Sequence, residues 1–228
     1  MTVGDSELGG ALVTFEGGEG SGKSTVCTRV FRLIGEAGYD CWKGSEPGGT
    51  VLGTCWREQI LNPSSQLSPQ AELFLFLADR AQNFAEHISP RLAGGHVVML
   101  DRHRDSTMAY QGAGRGHNRG LIEAGNRHAT TTASGAERRP DLTILLDIDP
   151  ELGLRRAGHG EYGVADRIET EALAFHVRLR EEFLRIAREE PDRVAVLDAS
   201  RPLGEIVSEA HGLVESLLSR KGLRPSVP

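Results

Sequence analysis

The residues with the clearest chemical meaning lie in the stretch FEGGEGSGKST, which runs from Phe15 to Thr25. It contains the spacing Gly17-x4-Gly22-Lys23-Ser24, the P-loop pattern that holds nucleotide phosphates. Glycines let backbone N–H groups approach the phosphates, Lys23 neutralises the β and γ oxygens, and Ser24 can ligand Mg²⁺. We therefore expect the nucleotide to contact Gly17, Gly18, Glu19, Gly20, Ser21, Gly22, Lys23, Ser24 and Thr25.

Apolar runs on both sides of this loop predict the elements that position it. The run ALVTFEG (11–17) has the character of a buried strand that ends at glycines. From Lys23 onward, apolar residues recur at the spacing of a helix. Further strands are predicted at YDCWKGS (39–45) and at the runs HVVMLD, LTILLD and RVAVLD, which end at Asp101, Asp147 and Asp198.

Helical patterns alternate with these strands along the chain. Ser68 precedes the longest pattern as an N-cap, with Pro69 in the first helical position. Further helices are predicted over 51–61, 170–190 and 203–219. The alternation predicts an α/β fold, a five-stranded parallel sheet with helices on both faces. Ligands of such sheets bind beyond the carboxyl ends of the strands, where the P-loop lies.

Composition narrows the class of protein. Hydrophobic residues make up 39% and charged residues 25% of the chain, as in an ordinary soluble globular protein. The net charge of −6 argues against a general binder of nucleic acids or membrane surfaces. Cys27, Cys41 and Cys55 form no CxxC pair and match no metal-site spacing. The first ten residues lack a basic start and an apolar run, so we expect a cytoplasmic protein with reduced thiols.

A P-loop occurs in three large classes of protein, and the rest of the chain separates them. A GTPase would carry an N/TKxD motif, which this sequence lacks. A motor or transporter ATPase would end its second metal-binding strand in an acidic pair, whereas here the strand ends Asp101-Arg102-His103. A small-molecule kinase needs cations for a second, acceptor phosphate, and Arg57, Arg80 and Arg102 can supply them. The kinase interpretation is favoured.

Several longer motifs make the resemblance specific. FEGGEGSGKST, EPGGT, FLADRA, DRHRDSTMAYQGAGRG, RPDLTILLDIDPELGLRR and ADRIE occur in the order found in bacterial thymidylate kinases, over residues 12–200. The chain resembles members of that family whose catalytic arginines lie in a lid. The resemblance implies a P-loop nucleoside monophosphate kinase fold, transfer of the γ-phosphoryl group of ATP to dTMP, a requirement for Mg²⁺, and a homodimer.

The resemblance also implies an acceptor site. Phe76 would stack on thymine, and Arg80, one helical turn later, would donate hydrogen bonds to the base. The helical pattern alone favours a place in the core for Phe76, and it fits a surface ion pair for Arg80. Arg102 and Arg57 would bind the acceptor phosphate, and Tyr110 would crowd the 2′ position of the sugar. The other implied dTMP contacts are Glu16, Glu46, Pro47, Thr107 and Gln111.

For the donor side, the resemblance assigns the metal to Ser24 and Asp101. The four P-loop positions between Gly17 and Gly22 carry no cation, so the resemblance implies that further positive charge for the γ-phosphate comes from a mobile lid at about 155–168. Gly158 and His159 stand where such lids often carry arginine, which leaves open which lid arginine makes the contact. Arg155 is assigned to ATP binding. The residues assigned to catalysis of the transfer are Lys23, Arg102, Arg156 and Arg167.

Two departures from the family pattern keep other acceptors open. Gly44-Ser45 replaces the usual Thr-Arg before EPGG, and residues 117–138, normally an amphipathic helix, have few apolar side chains. We expect a loop or a disordered segment there. The alternatives are a kinase of another or 5-modified pyrimidine nucleoside monophosphate, and a non-catalytic nucleotide-binding regulator. The expected organisation is one P-loop kinase domain over residues 1–228.

Overall fold

The computed structural model describes residues 9–158 and 167–226. Five parallel strands form one sheet in the order β2-β3-β1-β4-β5. The sheet confirms the predicted α/β architecture, and each predicted strand is present. The strands are β1 (Ala11–Glu16), β2 (Cys41–Ser45), β3 (Val97–Asp101), β4 (Leu142–Asp147) and β5 (Val194–Asp198).

Helices cover both faces of this sheet. They are α1 (Lys23–Glu36), α2 (Val51–Leu61), α3 (Pro69–Asn83), α4 (Ser89–Ala93), α5 (Arg104–Thr107), α6 (Arg119–Ala129), α7 (Pro150–Ala157), α8 (Leu173–Glu189) and α9 (Leu203–Arg220). π-Helical turns at Phe84–Ile88 and Met108–Gly114 continue α3 and α5. No helix in the described ranges is long and apolar enough to cross a membrane.

Alternate residues of the central strand β1 pack against opposite layers of helices. Val13 and Phe15 are fully buried in the cluster formed with α1 and α9. Leu12 points to the other face and packs with the end of α3 and with α4. A strand buried on both faces reads as a continuous apolar run, which explains why the sequence pattern located it. The carboxyl end of β1 is thereby held rigidly at the centre of the fold.

Local signals in the sequence set two of the helix starts. The Ser68 side chain accepts a hydrogen bond from the Ala71 N–H at 3.2 Å, with Pro69 in the first turn of α3, as predicted. The Thr50 hydroxyl caps α2 in the same way, accepting from Gly53 N at 2.9 Å. The helix predicted over 170–190 begins later, at Leu173, because Ala172 has an extended backbone.

The expectation of a loop or a disordered segment over 117–138 is wrong for residues 119–129. Helix α6 occupies this segment, and the Asn118 side chain caps it by accepting from Leu121 N at 3.1 Å. Ile122, Asn126 and Ala129 recur at helical spacing and are buried. Gly125 lets α3 approach, since a side-chain carbon there would lie 2.6 Å from Leu77 Cδ1. The helix was missed because its buried face is narrow and one of its members is an amide.

The predicted lid is described only at its two ends. Residues 155–158 finish α7, and Gly158 caps that helix. Residues 167–168 enter a turn that leads to α8. His159 and the rest of 159–166 lie outside the described residues.

Candidate active site

A cavity of about 580 Å³ opens at the carboxyl ends of β1, β2 and β3. Ligands of open parallel sheets bind in this position. One wall carries the lysine and serine of the P-loop pattern, and the opposite wall carries the aromatic and arginine of α3. The predicted residues that line it are Glu19, Lys23, Ser24, Glu46, Pro47, Arg57, Phe76, Arg80, Asp101, Arg102, Thr107, Tyr110 and Gln111.

The P-loop wraps the N-terminus of α1, which begins at Lys23. Gly20 has a φ of 66°, and a side-chain carbon there would lie 1.9 Å from the carbonyl oxygen of Gly153, so only glycine fits. Lys23 Nζ lies 3.4 Å from the carbonyl oxygen of Gly18 and 3.9 Å from Glu19 Oε2. Gly17 and Gly18 border a separate small cavity behind the loop. The other predicted loop contacts lie outside the main cavity: Gly20, Ser21, Gly22 and Thr25.

Glu19 is the centre of a charged cluster beside Lys23. Arg102 Nη2 donates to Glu19 Oε1 at 2.7 Å, and the Tyr110 hydroxyl donates to the same oxygen at 2.6 Å. Burial by itself would raise the pKa of the Glu19 carboxyl, yet the charges of Arg102 and Lys23 lower it to about 2. The cluster therefore holds one carboxylate between two cations.

Arg102 has an unusual backbone. Its φ of 68° is the one positive value among the described residues other than glycine. Such a conformation costs energy in a residue with a side chain, and it is common at functional sites. It directs the guanidinium over the Tyr110 ring, 4.7 Å from the centroid, and towards the carbonyl oxygen of Gly17 at 3.2 Å. The arginine that follows β3 is thus turned into the cavity.

Arg80 is buried, with 1% of its surface exposed. Its Nε donates to Glu46 Oε2 at 2.8 Å, and its Nη1 donates to Thr107 Oγ1 at 2.8 Å and to Asn126 Oδ1 at 2.5 Å. Glu46 also accepts from Asn83 Nδ2 at 3.1 Å. The alternative in which Arg80 forms a surface ion pair is therefore wrong. Phe76 is half-buried and borders the cavity one turn away.

His103 also borders this part of the cavity and is fully buried. Neither of its ring nitrogens has a hydrogen-bond partner among the described residues, and Nε2 lies 3.9 Å from Glu46 Oε1. Burial and the positive charges of Arg80 and Arg104 lower the pKa of His103 well below its ordinary value. The ring is therefore neutral at physiological pH.

Glu16, a predicted dTMP contact, does not border the main cavity. It is fully buried at the end of β1 and accepts from His103 N at 2.8 Å and from Ser106 Oγ at 2.6 Å. Burial, followed by the negative charge of Asp105, raises the pKa of the Glu16 carboxyl to about 8. Glu16 therefore holds His103 and Ser106, which follow β3, by hydrogen bonds to both residues.

Asp101 and Ser24, the predicted metal ligands, both border the cavity. Asp101 Oδ1 is buried and has no hydrogen-bond partner within the described residues. A carboxylate oxygen without a partner and a serine hydroxyl that border the same cavity fit Mg²⁺, which keeps several waters and takes few protein ligands. No larger cluster of metal-ligating side chains occurs in the described parts of the chain.

The three predicted lid arginines do not line the cavity. Arg155 is exposed and lies 3.7 Å from Glu151. Arg156 Nη1 donates to the carbonyl oxygen of Ala199 at 2.9 Å. Arg167 donates to the carbonyl oxygen of Ile60 at 2.8 Å and pairs with Glu72. None of the three borders the cavity in the described structure, so their contact with a γ-phosphate stays a prediction.

Asn126 and Glu72 are among the buried polar residues of this region that sequence reasoning missed. Asn126 was overlooked because its helix was not predicted, although its spacing from Ile122 and Ala129 was visible. Glu72 accepts from Gln111 Nε2 at 2.9 Å and from Arg115 Nε at 3.1 Å, and it also pairs with Arg167. No local pattern distinguishes Glu72 from an exposed acidic residue in the first turn of a helix.

Comparison with known proteins agrees with this geometry. The sequence profile of the thymidylate kinase family matches residues 15–210. The chain belongs to the thymidylate kinase family. The thymidylate kinase of Carboxydothermus hydrogenoformans is 45% identical over 209 residues, which cover 91% of this chain and 98% of that protein. That of Solidesulfovibrio magneticus is 46% identical over 214 residues, covering 91% of this chain and 100% of that protein.

A solved structure shares the fold. The crystal structure of thymidylate kinase from Ehrlichia chaffeensis superposes with a TM-score of 0.72 and 28% identity, covering 90% of this chain and 99% of that one. The thymidylate kinase family membership confirms the predicted fold class and the predicted nucleoside monophosphate kinase activity. The same membership confirms the prediction that the protein is a thymidylate kinase.

Proposed function

We propose that the cavity between the P-loop and α3 transfers the γ-phosphoryl group of ATP to dTMP, giving ADP and dTDP. The observation that carries this assignment is the shared cavity. Lys23 and Arg102, two cations suited to phosphates, open on the same space as Phe76 and Arg80, a pair suited to a planar base. A nucleoside monophosphate whose base lies against Phe76 and Arg80 would place its phosphate near Lys23 and Arg102.

For the donor, Lys23 and the N–H groups of the P-loop bind the β- and γ-phosphates of ATP. Mg²⁺ is held by Ser24 and by Asp101, whose free Oδ1 supports this assignment. When bound, the ion supplies positive charge that neutralises the phosphate oxygens. Lys23 supplies a fixed charge from the protein, because burial and the rigid loop hold its side chain in place.

For the acceptor, Phe76 stacks on thymine and Arg80 donates to a carbonyl oxygen of the base. Thr107 and Gln111 lie along the base, and Tyr110 limits space beside the 2′ position of the sugar. The phosphate is bound by Arg102 and Arg57. Glu46 and Pro47 are further proposed contacts at the cavity wall. Glu16 acts indirectly, through its hydrogen bonds with His103 and Ser106.

The transfer requires positioning and charge stabilisation. The acceptor phosphate is already a competent nucleophile, so neither a general base nor a covalent intermediate is needed. When dTMP binds, Arg102 donates to the acceptor phosphate with N–H groups that now bond Glu19, Gly17 and Ser106. Arg155, Arg156 and Arg167 bring further positive charge to the transferring group when the lid closes.

We also propose a homodimer. Exposed apolar side chains occur on three neighbouring helices: Val51 and Leu52 on α2, Phe74 on α3 and Leu121 on α6. Phe74 is 61% and Leu121 is 50% exposed. Helix α3 packs against both α2 and α6, and we propose that the exposed apolar side chains of these adjoining helices act as one patch. A second copy of the chain, placed by a two-fold axis, would bury it.

An acceptor panel tests the proposed function. ADP release from ATP is measured with dTMP, dUMP, UMP, dCMP and 5-substituted deoxyuridylates at equal concentration, and kcat/KM is compared. We expect dTMP to give the highest value. A higher value for a bulkier 5-substituted nucleotide would favour the modified-pyrimidine alternative. ADP release that does not depend on any acceptor, or no release at all, would favour the nucleotide-binding regulator.

A further inference from the structure

The hydrogen bonds of Arg80 leave one of its nitrogens for a ligand. A guanidinium carries five N–H groups. One, on Nε, is taken by Glu46, and the two on Nη1 are taken by Thr107 and Asn126. No hydrogen bond among the described residues uses Nη2. Since Arg80 borders the cavity, the two N–H groups of Nη2 are those left to donate into it.

Asn126 reaches this site from a distant part of the chain. It lies 46 residues after Arg80, on α6, and has 1% of its surface exposed. Its Nδ2 lies 3.5 Å from the carbonyl oxygen of Arg104, which orients the amide so that Oδ1 faces the guanidinium. The approach of α6 to α3 at Gly125 holds the two side chains at this distance. The contact therefore depends on the position of α6 against α3.

We propose that Asn126 is a positioning residue that fixes the rotation of the Arg80 guanidinium, so that only Nη2 faces the acceptor base. This inference rests on the proposed function, in which Arg80 recognises that base. Without Asn126, one N–H of Nη1 loses its acceptor, and the guanidinium can turn to satisfy it from the cavity side. Because Nη2 can only donate hydrogen bonds, a guanidinium held in this orientation favours a base with a carbonyl oxygen at the recognised edge over a base with an amino group there. Asn126 therefore sets the discrimination of thymine from cytosine without contacting either.

Two substitutions at Asn126 distinguish the loss of the acceptor oxygen from a change in the shape of the side chain. Asn126→Leu keeps the number and branching of the side-chain heavy atoms and removes the acceptor, whereas Asn126→Asp keeps the branching and an acceptor oxygen that can reach Nη1. For Asn126→Leu we expect KM for dTMP to rise about tenfold with little change in kcat, and the ratio of kcat/KM for dTMP over dCMP to fall about tenfold. Asn126→Asp should retain the wild-type ratio.

A matched control removes the effect of a weaker helix. Asn118→Ala deletes the N-cap of the same α6 but does not touch Arg80. It should lower the midpoint of urea unfolding and leave the dTMP/dCMP ratio unchanged. A ratio that falls as far in Asn118→Ala as in Asn126→Leu would overturn the proposal, since any weakening of α6 would then suffice.

The remaining outcomes are also decisive. An active, folded Asn126→Leu enzyme with the wild-type ratio overturns this inference and leaves the proposed function standing. If the leucine variant does not fold, Asn126→Ser, whose hydroxyl is too short to reach Nη1, gives the same test with the same expected ratio. A wild-type enzyme without dTMP-dependent ADP release would overturn the proposed function and, with it, this inference.

Discussion

Arg102 and Glu19 form an ion pair at 2.7 Å between the end of β3 and the P-loop. The pair joins a proposed ligand of the acceptor phosphate to the loop that holds the donor. Only 17% of the Arg102 side chain and 14% of the Glu19 side chain are exposed, so the two groups are shielded from bulk water. Glu19 thus places a negative charge beside Lys23 and Arg102, the two cations that we propose bind phosphates.

The Glu19 carboxyl gives a pH-dependent prediction. Its pKa falls from 4.5 to about 2 on folding, so the stabilisation is fully present above pH 4.5 and is lost as the pH falls through 2. At pH 7, Glu19→Gln should lower the free energy of unfolding by about 3 kcal/mol. Urea unfolding of both proteins at pH 7 and at about pH 3 should show a smaller difference at the lower pH. A difference independent of pH would mean that the carboxylate charge is not what stabilises the cluster.

Lys23 should be required for transfer and not for folding. Lys23→Ala removes a fixed charge from the β- and γ-phosphates, and we expect kcat to fall at least about a hundredfold. Circular dichroism should show a folded protein. Lys221→Ala, which removes a lysine paired with Asp141 far from the cavity, is the matched control. Near-normal turnover in Lys23→Ala would exclude the P-loop as the site of the donor phosphates.

Tyr110 should discriminate deoxyribose from ribose. Its ring lies between the Arg102 guanidinium and the edges of Phe175 and Phe183, at centroid distances of 6.2 and 6.3 Å from the two phenylalanines. Tyr110→Ala should reduce the preference for dTMP over UMP while largely preserving the preference for dTMP over dUMP, which depends on the thymine methyl and is worth about 1 kcal/mol.

Tyr110→Phe provides the control for that experiment. It keeps the ring and loses only the hydroxyl that donates to Glu19. The preference for deoxyribose should therefore survive in this variant. If Tyr110→Phe loses it as completely as Tyr110→Ala, the hydroxyl and its bond to Glu19 are responsible, and the steric explanation is wrong.

The lid arginines should act on the chemical step. Replacing Arg156 and Arg167 together by alanine should lower kcat more than it raises KM for dTMP, because their proposed contacts strengthen at the transferring phosphoryl group. Arg178→Ala, which removes an exposed arginine bonded to the carbonyl oxygen of Ala113, is the control. An effect on KM alone would indicate that Arg156 and Arg167 lie outside the chemistry, and unchanged kinetics would shift the role to Arg155 or His159.

The dimer prediction concerns the exposed patch on α2, α3 and α6. Phe74→Glu places a charge on α3, the helix that packs against both α2 and α6, and should convert a dimer into a monomer, which sedimentation velocity would detect. Leu173→Glu alters a side chain that is 39% exposed on α8, and it should leave the dimer intact. A wild-type protein that sediments as a monomer would refute the proposed dimer.

The sequence by itself determined the elements whose signals are local. The strand before Gly17 is buried on both faces and so reads as one apolar run, and the loop after it needs glycines for steric reasons. Ser68 and Pro69 mark the start of α3 within a few residues of chain. The sequence also placed Phe76 and Arg80 one turn apart on a single helix, so the pair did not depend on tertiary contacts.

Only the tertiary structure decided how the buried polar groups are satisfied. Glu16, Glu46 and Asn126 are polar residues that local patterns assign to the surface, but each meets a partner tens of residues away: His103, Arg80 and Arg80 respectively. A carboxylate or an amide becomes stable in the interior only when a donor from another element reaches it. Because that donor lies outside any local window, neither periodicity nor spacing can reveal the pair. The orientation of Arg80 was therefore fixed by the packing of α6 against α3.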